Sequence, residues 1–141
     1  MKPKIILVLL ILICGMVMIA GCTTNNGNTT NNGTNISGYK DVTPAEAQKL
    51  INSTPEIVII DVSAKFDQGH LPGAVNYPVF NGSLDNAIPT LNKNDTYLVY
   101  CHVDSVAIEG AQKLIDAGFT KVYRLEGNYQ AWVDAGYPVE T

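Results

Sequence analysis

Cys101 is the residue of this 141-residue chain whose type and position point most directly to chemistry. It ends the apolar run Thr96-Tyr97-Leu98-Val99-Tyr100, which reads as a buried strand. The short loop His102-Val103-Asp104 follows, and a helical pattern starts at Ser105. A thiol between a strand and a helix N-terminus lies among backbone N–H groups without helical partners, where a thiolate or an anion is stabilised. Sulfur chemistry is therefore the leading expectation. The competing reading is an inert, packed thiol, because free cysteine is among the most buried residue types.

The other two of the three cysteines belong to the front of the chain. Lys2 and Lys4 precede a stretch from Ile5 to Ala20 that is almost wholly apolar and contains Cys14. Such a segment is an export signal rather than part of a fold, and it is short of the roughly 20 apolar residues that a spanning helix needs. Ile19-Ala20-Gly21-Cys22 resembles a lipobox, the cleavage and lipidation signal of prokaryotic lipoproteins. That resemblance implies loss of residues 1–21 and a diacylglyceryl group on Cys22. An uncleaved anchor helix is the alternative. Both place the globular part at the cell membrane, facing outside the cytoplasm. With Cys22 modified, Cys101 is the one free thiol left and no internal disulfide is expected.

Residues 22–38 carry that cysteine and then only Asn, Thr, Gly and a few other residues, with Thr-Thr-Asn-Asn-Gly occurring twice. Such a segment has too little apolar surface to bury and reads as a flexible tether, about 22 Å long on average. One domain remains, residues 39–141, large enough for a single modest core. The chain's net charge of −4, more negative still without Lys2 and Lys4, argues against nucleic acid as a partner.

Within the domain, helical and strand patterns alternate. Thr43-Pro44-Ala45-Glu46 is a helix start, with Thr43 as cap, Pro44 in the first turn and Glu46 closing a capping box. Ile57-Val58-Ile59-Ile60 is uniformly apolar, as in a strand covered on both faces, and ends at Asp61. Ala74 to Tyr77 is a short strand candidate, and Leu84 to Leu91 a helix candidate interrupted by Pro89. After the strand Tyr97–Tyr100, Ala107, Ala111, Leu114 and Ile115 fall on one helical face, and Gly118 suits the position after its end. Val122 to Leu125 is the last strand, and Tyr129 to Ala135 the last helix, with Trp132 buried. The alternation implies an α/β domain with a mainly parallel central sheet flanked by helices. Ligands of such sheets sit beyond the carboxyl ends of the strands, where Asp61 and Cys101 both fall.

In order and spacing, Asp61-Val62, Phe66 with Gly69-His70-Leu71-Pro72-Gly73-Ala74, Tyr100-Cys101, Leu125-Glu126-Gly127 and Ala131-Trp132 make the domain resemble the rhodanese-like sulfurtransferases over nearly its whole length. The resemblance implies a single rhodanese-like domain and makes Cys101 the counterpart of the family's catalytic cysteine. In that chemistry the thiolate takes sulfur from a small sulfane donor, becomes a persulfide and yields it to a thiol acceptor, with no cofactor. The loop from Cys101 through His102, Val103, Asp104 and Ser105 to Val106 has the short sulfurtransferase length, not the longer phosphate-wrapping length of related phosphatases. Where active members carry a basic residue, a Gly and an Arg, this loop has His102, Asp104 and Val106. Asp104 beside a thiolate, without a cation at Val106, disfavours an anionic donor such as thiosulfate. Ser63 stands in place of a common Arg, and Asn128 in place of a common second Gly.

Two classes of function follow: a lipid-anchored sulfurtransferase working through a Cys101 persulfide, or a non-catalytic binding module that kept the fold and engages a protein partner. Asp104 reads as the cap of the helix at Ser105, His102 as a polar loop residue, and His70 and Asp61 as structural residues at the sheet's rim. Tyr129 and Trp132 read as packing residues, and Arg124 as a surface residue. Cys101, His102 and Asp104 fall within four residues on one loop, an awkward set for tetrahedral coordination, so no metal site is expected.

Overall fold

The structure is a computed structural model and describes residues 38–141. The expected leader, the lipidation site Cys22 and all but the last residue of the tether lie outside the described residues.

Strands β1 (Lys40–Val42), β2 (Val58–Asp61), β3 (Val75–Asn76), β4 (Tyr97–Tyr100) and β5 (Val122–Leu125) form one sheet in the order β1-β5-β4-β2-β3, with every pairing parallel. The helices are α1 (Pro44–Ser53), α2 (Ser83–Ala87), α3 (Asp104–Asp116) and α4 (Asn128–Asp134). Single 3₁₀ turns lie at Phe66–Gln68 and Ile88–Thr90. Thr43 and Glu46 form the expected capping box of α1, and Pro89 turns the weak helical stretch into the 3₁₀ turn after α2.

The uniform apolarity of β4 has a geometric cause. Successive side chains of a strand point to opposite faces, and here both faces are covered. Tyr97, Val99 and Cys101 join the cluster of Ile60, Val62, Ala107, Ala111 and Leu114 on the α3 side. Leu98 and Tyr100 join Val42, Ala47, Leu71, Leu125 and Trp132 on the other. Strand β1 was absent from the sequence-based expectation. Its three residues are held by register with β5, Val42 opposite Leu125, rather than by any periodicity of their own.

Candidate active site

β4 and β2 run side by side with Asp61 opposite Tyr100, so Cys101 and Asp61 emerge on the same rim, as expected for carboxyl strand ends. Only His102 and Val103 separate Cys101 from α3. Cys101 is 2% exposed and lines a cavity of about 220 Å³ together with Val62, Ser63, Ala64, Lys65, Phe80, His102, Val103 and Val106. Burial pushes its thiol pKa up, the backbone N–H groups of Val103 and His102 oppose that shift, and the Asp61 charge adds to it. The sulfur is thus neither fully open to solvent nor cut off from backbone amides.

The backbone of Cys101 is clasped by the start of α4. Its N–H donates to Asn128 Oδ1 at 3.2 Å, and its carbonyl accepts the Tyr129 N–H at 3.0 Å. Asn128 holds a left-handed conformation, φ 58°, directly after Gly127 at φ 67°. Asparagine tolerates that region better than other side chains, which reconciles the residue with a position where the family often has Gly. Asn128 Nδ2 in turn donates to Asp104 Oδ1 at 3.0 Å.

Asp104 differs from its expected role. The N-cap of α3 is Val103, Asp104 is the first helical residue, and no side chain caps this end. The reason is a stronger distant partner. Arg124 Nη1 donates to Asp104 Oδ1, and Arg124 Nε donates to Asp41 Oδ1 at 2.7 Å. Arg124 is therefore not a surface residue: it is 8% exposed and ties β1, β5 and the start of α3 together. Asp104's charge is answered by this guanidinium, and the acidic group that acts on the Cys101 thiol is Asp61.

Asp61 is fully buried. Its Oδ1 accepts the Ser63 N–H at 2.7 Å, an Asx-type turn at the strand end. Ser63 Oγ accepts the Lys65 N–H at 3.1 Å, so Ser63 builds the loop that carries Lys65 to the cavity. Asp61 Oδ2 has no hydrogen-bond partner among the described residues and lies 3.9 Å from His102 Nε2. That ring nitrogen is 3.2 Å from the Gly69 carbonyl, and the ring stacks on Tyr129 with centroids 4.3 Å apart. A Cβ on Gly69 would fall 2.0 Å from the Tyr129 hydroxyl, so a glycine is required where that ring crosses the turn. Burial, and then the Asp61 charge, push the Tyr100 phenol pKa well up. The Tyr100 hydroxyl accepts the Leu71 N–H at 3.0 Å. His70 lies further along the same turn, with Nδ1 3.1 Å from the Phe66 carbonyl and its ring stacked on Phe66.

Of the residues singled out in the sequence, Cys101, His102, Val103 and Val106 converge on the cavity, and Asp61 sits behind His102. Asp104 points away into the Arg124 network, Ser105 is not part of the cavity lining, and His70 belongs to the neighbouring turn. Sequence reasoning missed Phe80, Lys65 and the clasping role of Asn128. One signal for Arg124 was available. The chain's single arginine shares its face of the strand with Val122, an apolar position, and that spacing points it inward.

The sequence and the architecture match known proteins. The sequence profile of the rhodanese-like domain matches residues 43–135. A thiosulfate sulfurtransferase GlpE of Ectopseudomonas mendocina is 29% identical over 106 residues, covering 75% of this chain and 94% of that protein. Thiosulfate sulfurtransferase 18 of Arabidopsis thaliana is 28% identical over 112 residues, covering 71% of this chain and 82% of that protein. Among solved structures, the Alr3790 protein from Anabaena sp. superposes with a TM-score of 0.63 at 27% identity, over 70% of this chain and 80% of that one. With two thirds of its length inside the family profile and a parallel sheet that ends at a cysteine-bearing loop, the chain belongs to the rhodanese-like domain family of sulfurtransferases.

Proposed function

We propose that this protein transfers sulfane sulfur through a persulfide on Cys101. The observation that carries the reading is the position of the thiol: it ends a central strand, lines a cavity and lies beside the N–H groups of His102 and Val103. The Cys101 thiolate attacks the outer sulfur of a donor, the donor's S–S bond breaks, and its electron pair leaves with the departing group. A thiolate acceptor then attacks the outer sulfur of Cys101–S–S⁻, forming its own persulfide and restoring the Cys101 thiolate. The backbone amides favour charge on the reacting sulfur, while burial opposes it, so the donor must deliver its sulfur without a large anionic load. Thiosulfate is on this account a poor donor, because Val106 supplies no cation and the Asp61 charge acts against further negative charge at the thiol.

The proposal extends to location. Lys2, Lys4, the apolar run and Ile19-Ala20-Gly21-Cys22 support a protein lipidated at Cys22 and held on the outer face of the cell membrane by residues 22–38. Cys22→Ala should release the protein from the membrane fraction, and retention of that variant would count against a lipid anchor.

The near-complete burial of Cys101 favours one second reading, a rhodanese-like binding module without turnover. Intact-mass measurement separates the two. After incubation with inorganic polysulfide, the protein should gain sulfur that a thiol removes, and Cys101→Ser should gain none. A native protein that takes up no sulfur is a binding module.

A further inference from the structure

The walls around Cys101 are unusual for a site that handles small inorganic anions. Val62, Val103, Val106 and Phe80 give four of the nine lining residues large apolar side chains, and Lys65 is the one lysine or arginine among them. Phe80 is 73% exposed and Val103 50% exposed, so two apolar side chains at the mouth of the cavity face water when it is empty. Isolated exposed apolar residues need no explanation, but here both belong to the lining of one cavity that also contains the thiol. A ring-sized group fits. The cavity of about 220 Å³ exceeds the roughly 150 Å³ known to admit a benzene molecule.

We propose that the donor is an organic sulfane-sulfur compound with an uncharged hydrocarbon group, R–SO₂–S⁻ or R–S–S⁻, whose R group rests on Phe80 and Val103. This rests on the sulfurtransferase reading above and names its substrate class. One negative charge on the donor lies in the field of Lys65, which also favours the Cys101 thiolate, whereas the double charge of thiosulfate has no second lysine or arginine among the lining residues. For a thiosulfonate the step balances as Cys101–S⁻ plus R–SO₂–S⁻ giving Cys101–S–S⁻ plus the sulfinate R–SO₂⁻. The S–S bond of the donor breaks, its electron pair leaves on the sulfinate, and no external oxidant or reductant takes part. Phe80 and Val103 then determine specificity by desolvating R, an effect that grows with its apolar surface.

The test uses three donors with the same transferable sulfur: benzenethiosulfonate, methanethiosulfonate and thiosulfate. The expected order of kcat/KM is benzenethiosulfonate, then methanethiosulfonate, then thiosulfate. Phe80→Ala should lower the benzene-to-methane ratio about tenfold, and Phe80→Leu should restore much of it. Thiosulfate matching or exceeding benzenethiosulfonate, or a ratio indifferent to Phe80→Ala, overturns the donor proposal while Cys101 chemistry stands. Failure of all three donors and of inorganic polysulfide to load Cys101 overturns the sulfurtransferase reading, and this inference with it.

Discussion

Replacing Asn128 separates the two things it does at the site. Its backbone is left-handed at φ 58°, and its side chain bridges the Cys101 N–H and Asp104 Oδ1. Asn128→Ala puts an ordinary side chain into that backbone region, at a cost of about 1–2 kcal/mol. It also leaves the buried Cys101 N–H without an acceptor, at a cost of about 1–3 kcal/mol. Together these destabilise the domain by about 2–5 kcal/mol. Asn128→Gly removes the conformational cost and keeps the orphaned N–H, so its loss should be about 1–3 kcal/mol. Glycine should therefore be more stable than alanine here by about 1–2 kcal/mol, the reverse of their order within a helix. Urea unfolding with an unchanged m-value measures both. Sulfur loading of Cys101 should slow in both variants, because the residue bearing the nucleophile has lost its anchor to α4. If alanine is as stable as glycine, the strain reasoning is wrong. If Asn128→Gly equals the parent in stability and in loading rate, the clasp contributes nothing.

Other perturbations follow from the same geometry. Gly110 faces Val62, and an added Cβ would lie 2.9 Å from Val62 Cγ1, so Gly110→Ala should lose about 1 kcal/mol in urea unfolding despite its better helix propensity; a gain of that size would contradict the packing. Because burial raises the Cys101 thiol pKa, the unfolded chain loses this proton first as the pH climbs. The group's contribution to stability is full below the ordinary thiol range and declines from there through the folded value. Alkylation of Cys101 in the native protein should accordingly have a midpoint on the alkaline side of free cysteine, and a midpoint below free cysteine would show that the amides outweigh burial. Val106→Arg should raise thiosulfate-dependent turnover several-fold by placing a cation in the cavity, whereas an unchanged rate in the folded variant would undercut the electrostatic account of donor choice.

The parts of this protein that could be read from its sequence are those specified locally. The strands Val58–Asp61 and Tyr97–Tyr100 announce themselves as apolar runs because both faces of the sheet are covered. The start of α1 is written in Pro44 and in Thr43 and Glu46, which bond each other within one turn. The strand-to-helix placement of Cys101 was equally legible, since it needs only one run and one following pattern. Asp104 went wrong for a physical reason. A local rule assigns an Asp before a helix to capping, but a guanidinium twenty residues further along the chain binds it instead. The links from Arg124 to Asp41, from Asn128 to Cys101 and from β1 to β5 join distant residues that share no periodicity. The environment of Phe80 exists only once its loop is folded beside Val103 and Val106.

The most direct measurement follows a labelled sulfur atom through a single turnover. A donor carrying isotopic label in its outer sulfur is mixed with the protein, the Cys101 peptide is isolated, and a thiol acceptor is then added. The account requires the label to appear on Cys101 at a rate no slower than turnover and to leave for the acceptor quantitatively. Label that reaches the acceptor while Cys101 stays bare, or that arrives equally fast with Cys101→Ser, contradicts it.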